Sequence, residues 1–176
     1  DAIGIQEIYK VGGAQAIAAM AYGTASIKKV DKIVGPGNAF VAEAKKQVYG
    51  LVGIDSIAGP SEVLIIADKL SNPKWIAIDL LSQAEHDENA RAILVTDDKK
   101  LLGKINFYIT EFLSIIDRRS IAKKSIDKNG LAILINDINK ADLIANYIAP
   151  EHLQIMTKNK KKLLKKITNA GAIFFG

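Results

Sequence analysis

The chain contains no cysteine among its 176 residues, which excludes a disulfide framework, a thiolate zinc site and a cysteine nucleophile. Aromatic residues make up only 6% of the sequence, so there are few platforms on which single-stranded nucleic acid could stack. No apolar run approaches the roughly 18 residues that a membrane span requires, and we expect no association with a membrane. There is no signal-peptide pattern and no initiator Met before Asp1, so the sequence is typical of an internal part of a longer chain. The absence of cysteine is compatible with a reducing, cytoplasmic setting, which we expect for this protein.

Positive charge is in modest excess, because 24 lysines and arginines stand against 19 aspartates and glutamates, a net charge of +5. Much of this excess lies in residues 158–166 (KNKKKLLKK). Such a run is typical of the solvated face of a helix, and we do not expect nucleic acid as a partner. A basic nucleic-acid-binding domain is kept as an alternative, since the lysine run would serve it.

Short apolar runs alternate with helical patterns along the sequence. This alternation favours an α/β fold with a Rossmann-like, mostly parallel sheet and flanking helices. Glycine and proline occur together near residues 56–60, so we predict parts of two lobes, residues 1–57 and residues 58–176. Strands are predicted at residues 32–34, 62–67, 91–96, 131–135, 153–156 and 172–175. Helices are predicted at residues 14–22, 39–48, 73–86, 99–114, near Ile121, 138–148 and 160–167, with a plain connection at 51–59.

The only two histidines, His86 and His152, each directly follow a glutamate. His86 comes three residues after Gln83 at a predicted helix end, so the two side chains are expected to share a face. Imidazole is a common metal ligand and an amide oxygen is a weaker one, but a zinc site needs further ligands. A polar helix end that stabilises a histidine through the helix dipole explains the same residues.

The second pair, Glu151 and His152, follows Pro150, which ends a predicted helix. We therefore expect the pair on a turn that leads into a strand. A carboxylate beside an imidazole can form a proton-transfer pair near neutral pH. A helix-ending turn with two solvated polar residues is the alternative that the local sequence leaves open.

The turn at residues 35–38 (GPGN) follows a predicted strand and opens a predicted helix, which we expect Asn38 to cap. Free backbone N–H groups in this setting can hold a phosphate or a carboxylate. Asp55, about twenty residues further on, could bind a ribose, although the dinucleotide fingerprint is incomplete. A plain strand-to-helix turn explains the glycines equally well. Ser61 has no evident histidine partner in the sequence, so we do not expect a nucleophile there.

Read together, these segments resemble the L-histidinol dehydrogenase family. The matching motifs are residues 11–17 (VGGAQAI), 30–38 (VDKIVGPGN), 58–64 (AGPSEVL), 82–86 (SQAEH), 149–153 (APEHL) and 170–174 (AGAIF). They follow the family's order and cover essentially the whole chain, which is far more specific than any one motif. The resemblance also implies that the chain is an internal fragment of less than half the family's length.

The resemblance implies an enzyme that oxidises L-histidinol to L-histidine through the aldehyde, the last step of histidine biosynthesis, using two NAD+ and a bound zinc ion. It implies that Gln83 and His86 are zinc ligands. It also implies an acid–base pair in which His152 takes the alcohol proton and Glu151 activates the water that attacks the aldehyde. The implied substrate contacts are Ser61, Gln83, His86 and His152, and the implied NAD contacts are Gln15 and Asn38.

Parts of the family's site have no counterpart in this sequence. The resemblance places the remaining zinc ligands, an Asp and a His, and a substrate-binding Glu beyond Gly176. The resemblance also implies a homodimer when the protein is full length, because the family's far C-terminal part completes the partner's site. We therefore expect residues 1–176 alone to be an inactive fragment with an open metal site. A nonenzymatic nucleotide- or metal-binding α/β module is kept as a further alternative. The paired Glu-His sites argue against such a module, because simple binding has no need of them.

Overall fold

The computed structural model describes residues 4–57 and 61–176. The chain divides into two compact units, Asp1–Gly59 and Pro60–Gly176. The first unit contains α1 (Gly13–Tyr22), β1 (Lys32–Ile33), α2 (Ala39–Val48) and β2 (Gly53–Ile54). In it, α1 packs against α2 and β1 pairs in parallel with β2. Its apolar core consists of Ile17, Ala21, Ile33, Val48 and Val52.

The start of α2 is fixed by the cap that the sequence predicts. Asn38 Oδ1 accepts a hydrogen bond from the Val41 N–H at 3.1 Å, which satisfies one of the free donors of the first turn. The plain connection predicted for residues 51–59 is wrong at Gly53–Ile54, which form β2. A two-residue strand is too short to leave an alternating pattern in the sequence, so only its pairing with β1 reveals it. Residues 58–60 of this stretch lie outside the described residues.

The second unit is a five-stranded sheet covered by helices. Its strands are β3 (Glu62–Ala67), β4 (Arg91–Thr96), β5 (Leu131–Leu134), β6 (His152–Ile155) and β7 (Ala172–Phe175). Its helices are α3 (Pro73–Ala84), α4 (Lys99–Leu113), α5 (Arg119–Asn129), α6 (Ala141–Ile148) and α7 (Lys160–Leu164), with a 3-10 turn at Ile138–Lys140.

The strands of this sheet lie in the order β5-β4-β3-β6-β7, and every neighbouring pair is parallel. Counted from the start of the unit, this is the order 3-2-1-4-5 of a Rossmann-type sheet. The first strand, β3, therefore lies at the centre. The predicted α/β class with a mostly parallel sheet and flanking helices is confirmed.

The central strand is buried on both faces, as its continuous apolar run indicates. On one face, Val63, Ile65 and Ala67 pack with residues of α3 and α4. On the other face, Leu64 and Ile66 pack with residues of α6 and α7. The two apolar layers together make the core of the unit.

Three element boundaries differ from the predictions in ways that concern the site. The helix α3 ends at Ala84, so Glu85 and His86 lie in the turn that follows. Strand β6 begins at His152 itself. Helix α5 has 11 residues, where only a short helix near Ile121 was predicted. Its length was missed because its mostly polar sequence shows only a weak apolar stripe. None of the described helices is long and apolar enough to cross a membrane.

Candidate active site

Five of the predicted site residues lie at one edge of the second unit's sheet, the edge at which its parallel strands begin. Ser61 directly precedes β3, and Glu151 directly precedes His152, the first residue of β6. Helix α3 connects two parallel strands, so it runs back to the start of β4. Its end, with Gln83 and His86, therefore lies at the same edge, which we call the amino edge.

Ser61 is held at the amino edge through its backbone. The Arg91 N–H donates to Ser61 O at 3.2 Å, and Arg91 Nη1 donates to Glu62 Oε1 at 2.9 Å. Both bonds join the start of β3 to the start of β4, where Glu62 and Arg91 are register partners. The backbone of the half-buried Ser61 is thus held where two strands pair.

Gln83 and His86 lie at different depths at the end of α3. Gln83 is only 8% exposed, and its Nε2 has no hydrogen-bond partner among the described residues. His86 is exposed and lies one residue past the C-cap, with its N–H donating to Gln83 O at 3.3 Å. A buried amide without a partner costs free energy. Since a flip exchanges the amide oxygen and nitrogen, Gln83 can offer either atom to a bound group.

Helix α5 supports the turn that carries His86. Arg118 Nη2 donates to His86 O at 3.4 Å, and Lys124 Nζ donates to Glu88 Oε1 at 2.7 Å. The buried Ser125 donates through Oγ to Ala90 O at 2.9 Å. The sequence-based reading missed these residues, because nothing in a polar helix indicates which loop it contacts.

The Glu151–His152 pair follows a constrained backbone. Ala149 has φ 51° and ψ 56°, a left-handed conformation that non-glycine residues rarely adopt. The buried Pro150 follows it, so the chain turns sharply from α6 into β6. Glu151 is exposed, whereas His152 is half-buried, with its ring centroid 5.9 Å from that of Phe174. The turn thus leaves the carboxylate in solvent and places the imidazole on the sheet.

Gly171 lies against this turn from the neighbouring strand. Its N–H donates to Pro150 O at 3.0 Å, and the Ala172 N–H donates to Glu151 O at 2.8 Å. A Cβ built on Gly171 would lie 2.7 Å from Glu151 O, which is closer than real side chains allow. The glycine of the motif at residues 170–174 therefore lets β7 approach the backbone of Glu151.

The opposite, carboxyl edge of the sheet has polar groups that bind one another. Ligands of parallel α/β sheets usually bind at this edge where the strand order reverses, here between β3 and β6. There Ser71 Oγ donates to Met156 O at 2.7 Å, and the Lys158 N–H donates to Asp68 Oδ2 at 2.9 Å. The chain's own hydrogen bonds bridge this crevice, while the predicted site residues gather at the other edge.

Gln15 and Asn38 belong to the first unit, each at the start of a helix. Gln15 is exposed in the first turn of α1, and a Cβ on Gly13, which has φ +70°, would lie 2.8 Å from Gln15 Oε1. Asn38 is exposed and uses Oδ1 to cap α2. Its Nδ2 group is chemically able to donate to a ligand while the cap remains formed.

Asp55 holds the turn at residues 35–38. Its Oδ2 accepts from the Gly35 N–H at 2.8 Å, and its Oδ1 accepts from Lys45 Nζ at 2.5 Å and from the Ser56 N–H at 2.7 Å. The Lys45 ammonium, and then the two N–H groups, hold the pKa of Asp55 well below its usual range. Gly35 has φ +123°, a conformation that favours glycine. The carboxylate that could have bound a ribose thus already has a structural role.

The donors at the amino edge fit part of a zinc site. Zinc usually takes about four ligands, and histidine nitrogen is a common one. The residues that the structure describes contain no group of three or more His, Cys, Asp or Glu side chains that could hold a metal ion. His86 and Gln83, whose Nε2 has no partner among the described residues, supply two donors, and a complete site needs ligands besides these.

The fold and the amino edge define a class: a Rossmann-type α/β protein with polar and titratable side chains where its strands begin. The family model for histidinol dehydrogenase matches residues 1–176. The chain belongs to the histidinol dehydrogenase family, and the resemblance seen in its motifs is confirmed.

Individual relatives agree with this assignment. The histidinol dehydrogenase of Aquifex aeolicus is 54% identical over 173 residues, 98% of this chain and 41% of the relative. That of Clostridium acetobutylicum is 55% identical over 176 residues, 100% of this chain and 41% of the relative. The crystal structure of histidinol dehydrogenase from Elizabethkingia anophelis matches with a TM-score of 0.92 and 44% identity, covering 99% of this chain and 40% of that one. The chain therefore spans about two fifths of the length of these relatives.

Proposed function

We propose that the full-length protein containing this chain oxidises L-histidinol to L-histidine through the aldehyde, as the last step of histidine biosynthesis. One observation carries the proposal: in a chain of the histidinol dehydrogenase family, Ser61, the end of α3 and the Glu151–His152 pair gather at one amino edge. Two oxidations of a primary alcohol to an acid need a base for the alcohol proton and a base for water. His152 and Glu151 are residues of the right chemistry for these tasks.

In the first oxidation, His152 accepts the hydroxyl proton of histidinol as the carbon loses a hydride, and the aldehyde forms. In the second, Glu151 accepts a proton from the water that adds to the aldehyde, and the resulting hydrate loses a second hydride to give the carboxylate. Bound NAD+ would supply the hydride acceptor for each oxidation, and a zinc ion held by Gln83 and His86 would supply a Lewis acid for the substrate oxygen. Two NADH are then formed for each histidinol consumed.

The environments of the two residues suit these roles. His152 is half-buried beside Phe174 on a paired strand, so its ring is oriented before the substrate arrives. Glu151 is exposed, where water can reach its carboxylate. Ser61, Gln83, His86 and His152 are the substrate contacts that we propose.

Gln83 and His86 would hold the zinc ion from the end of α3, with further ligands supplied by parts of the full-length protein outside this sequence. The buried Nε2 of Gln83, which has no hydrogen-bond partner in the part of the chain that the structure describes, supports this part of the proposal. Gln15 and Asn38 would contact NAD from the first unit. We also propose a cytoplasmic homodimer for the full-length protein.

The alternative functions have less support. In the lysine run, Lys166 Nζ lies 3.6 Å from Asp142 Oδ1 and donates to Asn139 O at 3.0 Å, and Lys160 Nζ lies 5.7 Å from the centroid of the Phe175 ring. These lysines thus contact their own unit. Family membership favours the enzyme over a nucleic-acid-binding domain or a nonenzymatic binding module.

The test is the stoichiometry of the full-length protein. With histidinol limiting and NAD+ in excess, we expect two NADH for each histidinol and histidine as the product. No NADH, or one NADH with the aldehyde as the final product, would contradict the proposal. A matched control is Lys161→Ala on the exposed side of the lysine run, which should leave turnover unchanged. Tight, salt-dependent nucleic-acid binding that this variant weakens would favour the alternative.

A further inference from the structure

One side-chain hydrogen bond joins the two elements that carry the candidate catalytic groups. Gln154 Nε2 on β6 donates to Asp79 Oδ2 on α3 at 2.8 Å, and both residues are partly buried. We propose that Asp79 and Gln154 are positioning residues. Their hydrogen bond sets the position of Gln83 along the strand direction relative to His152. This inference rests on the proposed function, and it adds two residues to which no role has so far been given.

The geometry of α3 and β6 places Asp79 and Gln154 deeper in the unit than Gln83 and His152, further from the amino edge. Gln83 comes four residues after Asp79 and shares its helix face, about 6 Å nearer the amino edge at the rise of an α-helix. His152 comes two residues before Gln154 on the same face of β6, about 6.6 Å nearer the same edge. Gln83 and His152 therefore lie at nearly the same distance from the Asp79–Gln154 bond, measured along the strands toward the amino edge. This bond fixes how the two residues line up in that direction.

The rest of the packing on this face of the sheet cannot provide the same precision. Ile76, Ala77 and Leu80 of α3 belong to the apolar cluster that contains Val63 and Ile65 of β3. Apolar contacts are non-directional, so they select one helix position less sharply than a directional contact does. A hydrogen bond to a carboxylate is directional and strong for its kind. It is the contact that would distinguish one helix position from the next.

The backbone that follows the edge strand β7 lies close to the side chain of Gln154. A Cβ built on Gly176 would lie 2.9 Å from Gln154 Nε2. The neighbouring backbone thus approaches the amide closely, and the side chain is confined between β7 and α3. With its donor confined in this way, the hydrogen bond from Gln154 Nε2 to Asp79 Oδ2 can hold α3 in one position relative to β6.

The test exchanges the carboxylate and the amide between positions 79 and 154 of the full-length protein. Gln154→Glu faces Asp79 with a second carboxylate, so like charges repel and the helix shifts. The double variant Asp79→Asn/Gln154→Glu restores one hydrogen bond with the donor on the helix. Asp79→Asn alone keeps an acceptor and is the conservative control. Each is assayed for kcat and KM with histidinol, for KM with NAD+, for zinc content and for thermal midpoint.

We expect Gln154→Glu to lower kcat about 10- to 100-fold, the loss typical of misplaced reacting groups, with KM for NAD+ unchanged. The double variant should recover most of that loss, and Asp79→Asn should stay close to wild type. A Gln154→Glu protein with wild-type kcat, or a double variant that recovers thermal midpoint but not kcat, would overturn the inference. If Gln154→Glu does not fold, Gln154→Met removes the same donor, and wild-type kcat in that variant would overturn it equally. A wild-type protein that does not oxidise histidinol would refute the proposed function instead.

Discussion

His152 lies opposite Val63 in the parallel ladder between β6 and β3. Backbone hydrogen bonds of the ladder therefore set the position of His152 relative to Ser61, which comes two residues before Val63. The imidazole is further oriented by the Phe174 ring, at a tilt of 51° between the ring planes. The backbone of the proposed base is thus held by the sheet, which favours a defined position from which the imidazole can reach a substrate proton.

Replacing the proposed base His152 should slow the first oxidation. We predict that His152→Asn in the full-length protein lowers histidinol turnover about 10²- to 10⁴-fold, the usual contribution of a general base. The measurement is the turnover rate as a function of pH, with Tyr147→Phe as a control at a position that is 91% exposed. Near-wild-type rates with an unchanged pH profile in His152→Asn would show that His152 is not the base.

The two oxidations should respond differently to loss of the Glu151 carboxylate. Glu151→Gln keeps the shape of the side chain and removes the base, so water activation should suffer more than the first hydride loss. We predict that the variant consumes the aldehyde more slowly than wild type, or accumulates it during histidinol oxidation. The rates from histidinol and from the aldehyde are measured separately. An equal loss with both substrates would instead indicate that Glu151 only orients His152.

Asp55 should make the first unit sensitive to acid. Its pKa is lowered in the folded state, chiefly by the Lys45 ammonium, so its contribution to stability is present above the ordinary carboxyl pKa of 3.8 and is lost as the pH falls through the lower folded value. Asp55→Asn should therefore be less stable than wild type at pH about 7, and the two should converge in strong acid.

The measurement is the urea midpoint of wild type and of Asp55→Asn, from pH about 7 down to strong acid. Asp31→Asn, an exposed change in the same unit, is the control. A constant difference between wild type and Asp55→Asn down to strong acid would show that the carboxylate charge does not matter.

The sequence predicted most of the fold, because its signals are local. Continuous apolar runs marked β3 and β4, and Asn38 marked the start of α2. The prediction was wrong for β2, whose existence depends on pairing with a strand about twenty residues away in the sequence. The length of α5 was also missed, since its polar sequence is stabilised by contacts with the loop after α3.

The site was less predictable than the fold. The motifs indicated candidate site residues, and the structure brings five of them to the amino edge: Ser61, Gln83, His86, Glu151 and His152. Spacing alone could not reveal that Asp55 is bound by Lys45 and Gly35, or that Gln154 reaches Asp79 across 75 positions of the chain. Such contacts depend on the sheet order, which no local pattern encodes.

Zinc affinity should distinguish this chain from the full-length protein. With two donors from Gln83 and His86, and tight zinc sites needing about four ligands, we predict that residues 1–176 alone bind zinc weakly and do not oxidise histidinol. Calorimetric titration of both proteins is the measurement. Tight, stoichiometric binding by residues 1–176 that survives His86→Ala would refute the assignment of His86. Tight binding lost in that variant would keep His86 as a ligand and show that a nearby group completes the site.

Replacing Gln83 should change stability and zinc affinity in opposite directions. Its buried amide has an Nε2 without a partner among the described residues, and a buried polar atom of this kind destabilises the fold. Gln83→Met has a similar volume and no such atom, so in the absence of zinc it should raise the free energy of unfolding by about 1 kcal/mol. The same change removes a proposed ligand and should weaken zinc binding by the full-length protein. Denaturant unfolding of the apo protein and zinc titration are compared with Gln47→Met, an exposed glutamine on α2. Lower stability together with unchanged zinc affinity would show that Gln83 serves the fold of α3 and not the metal.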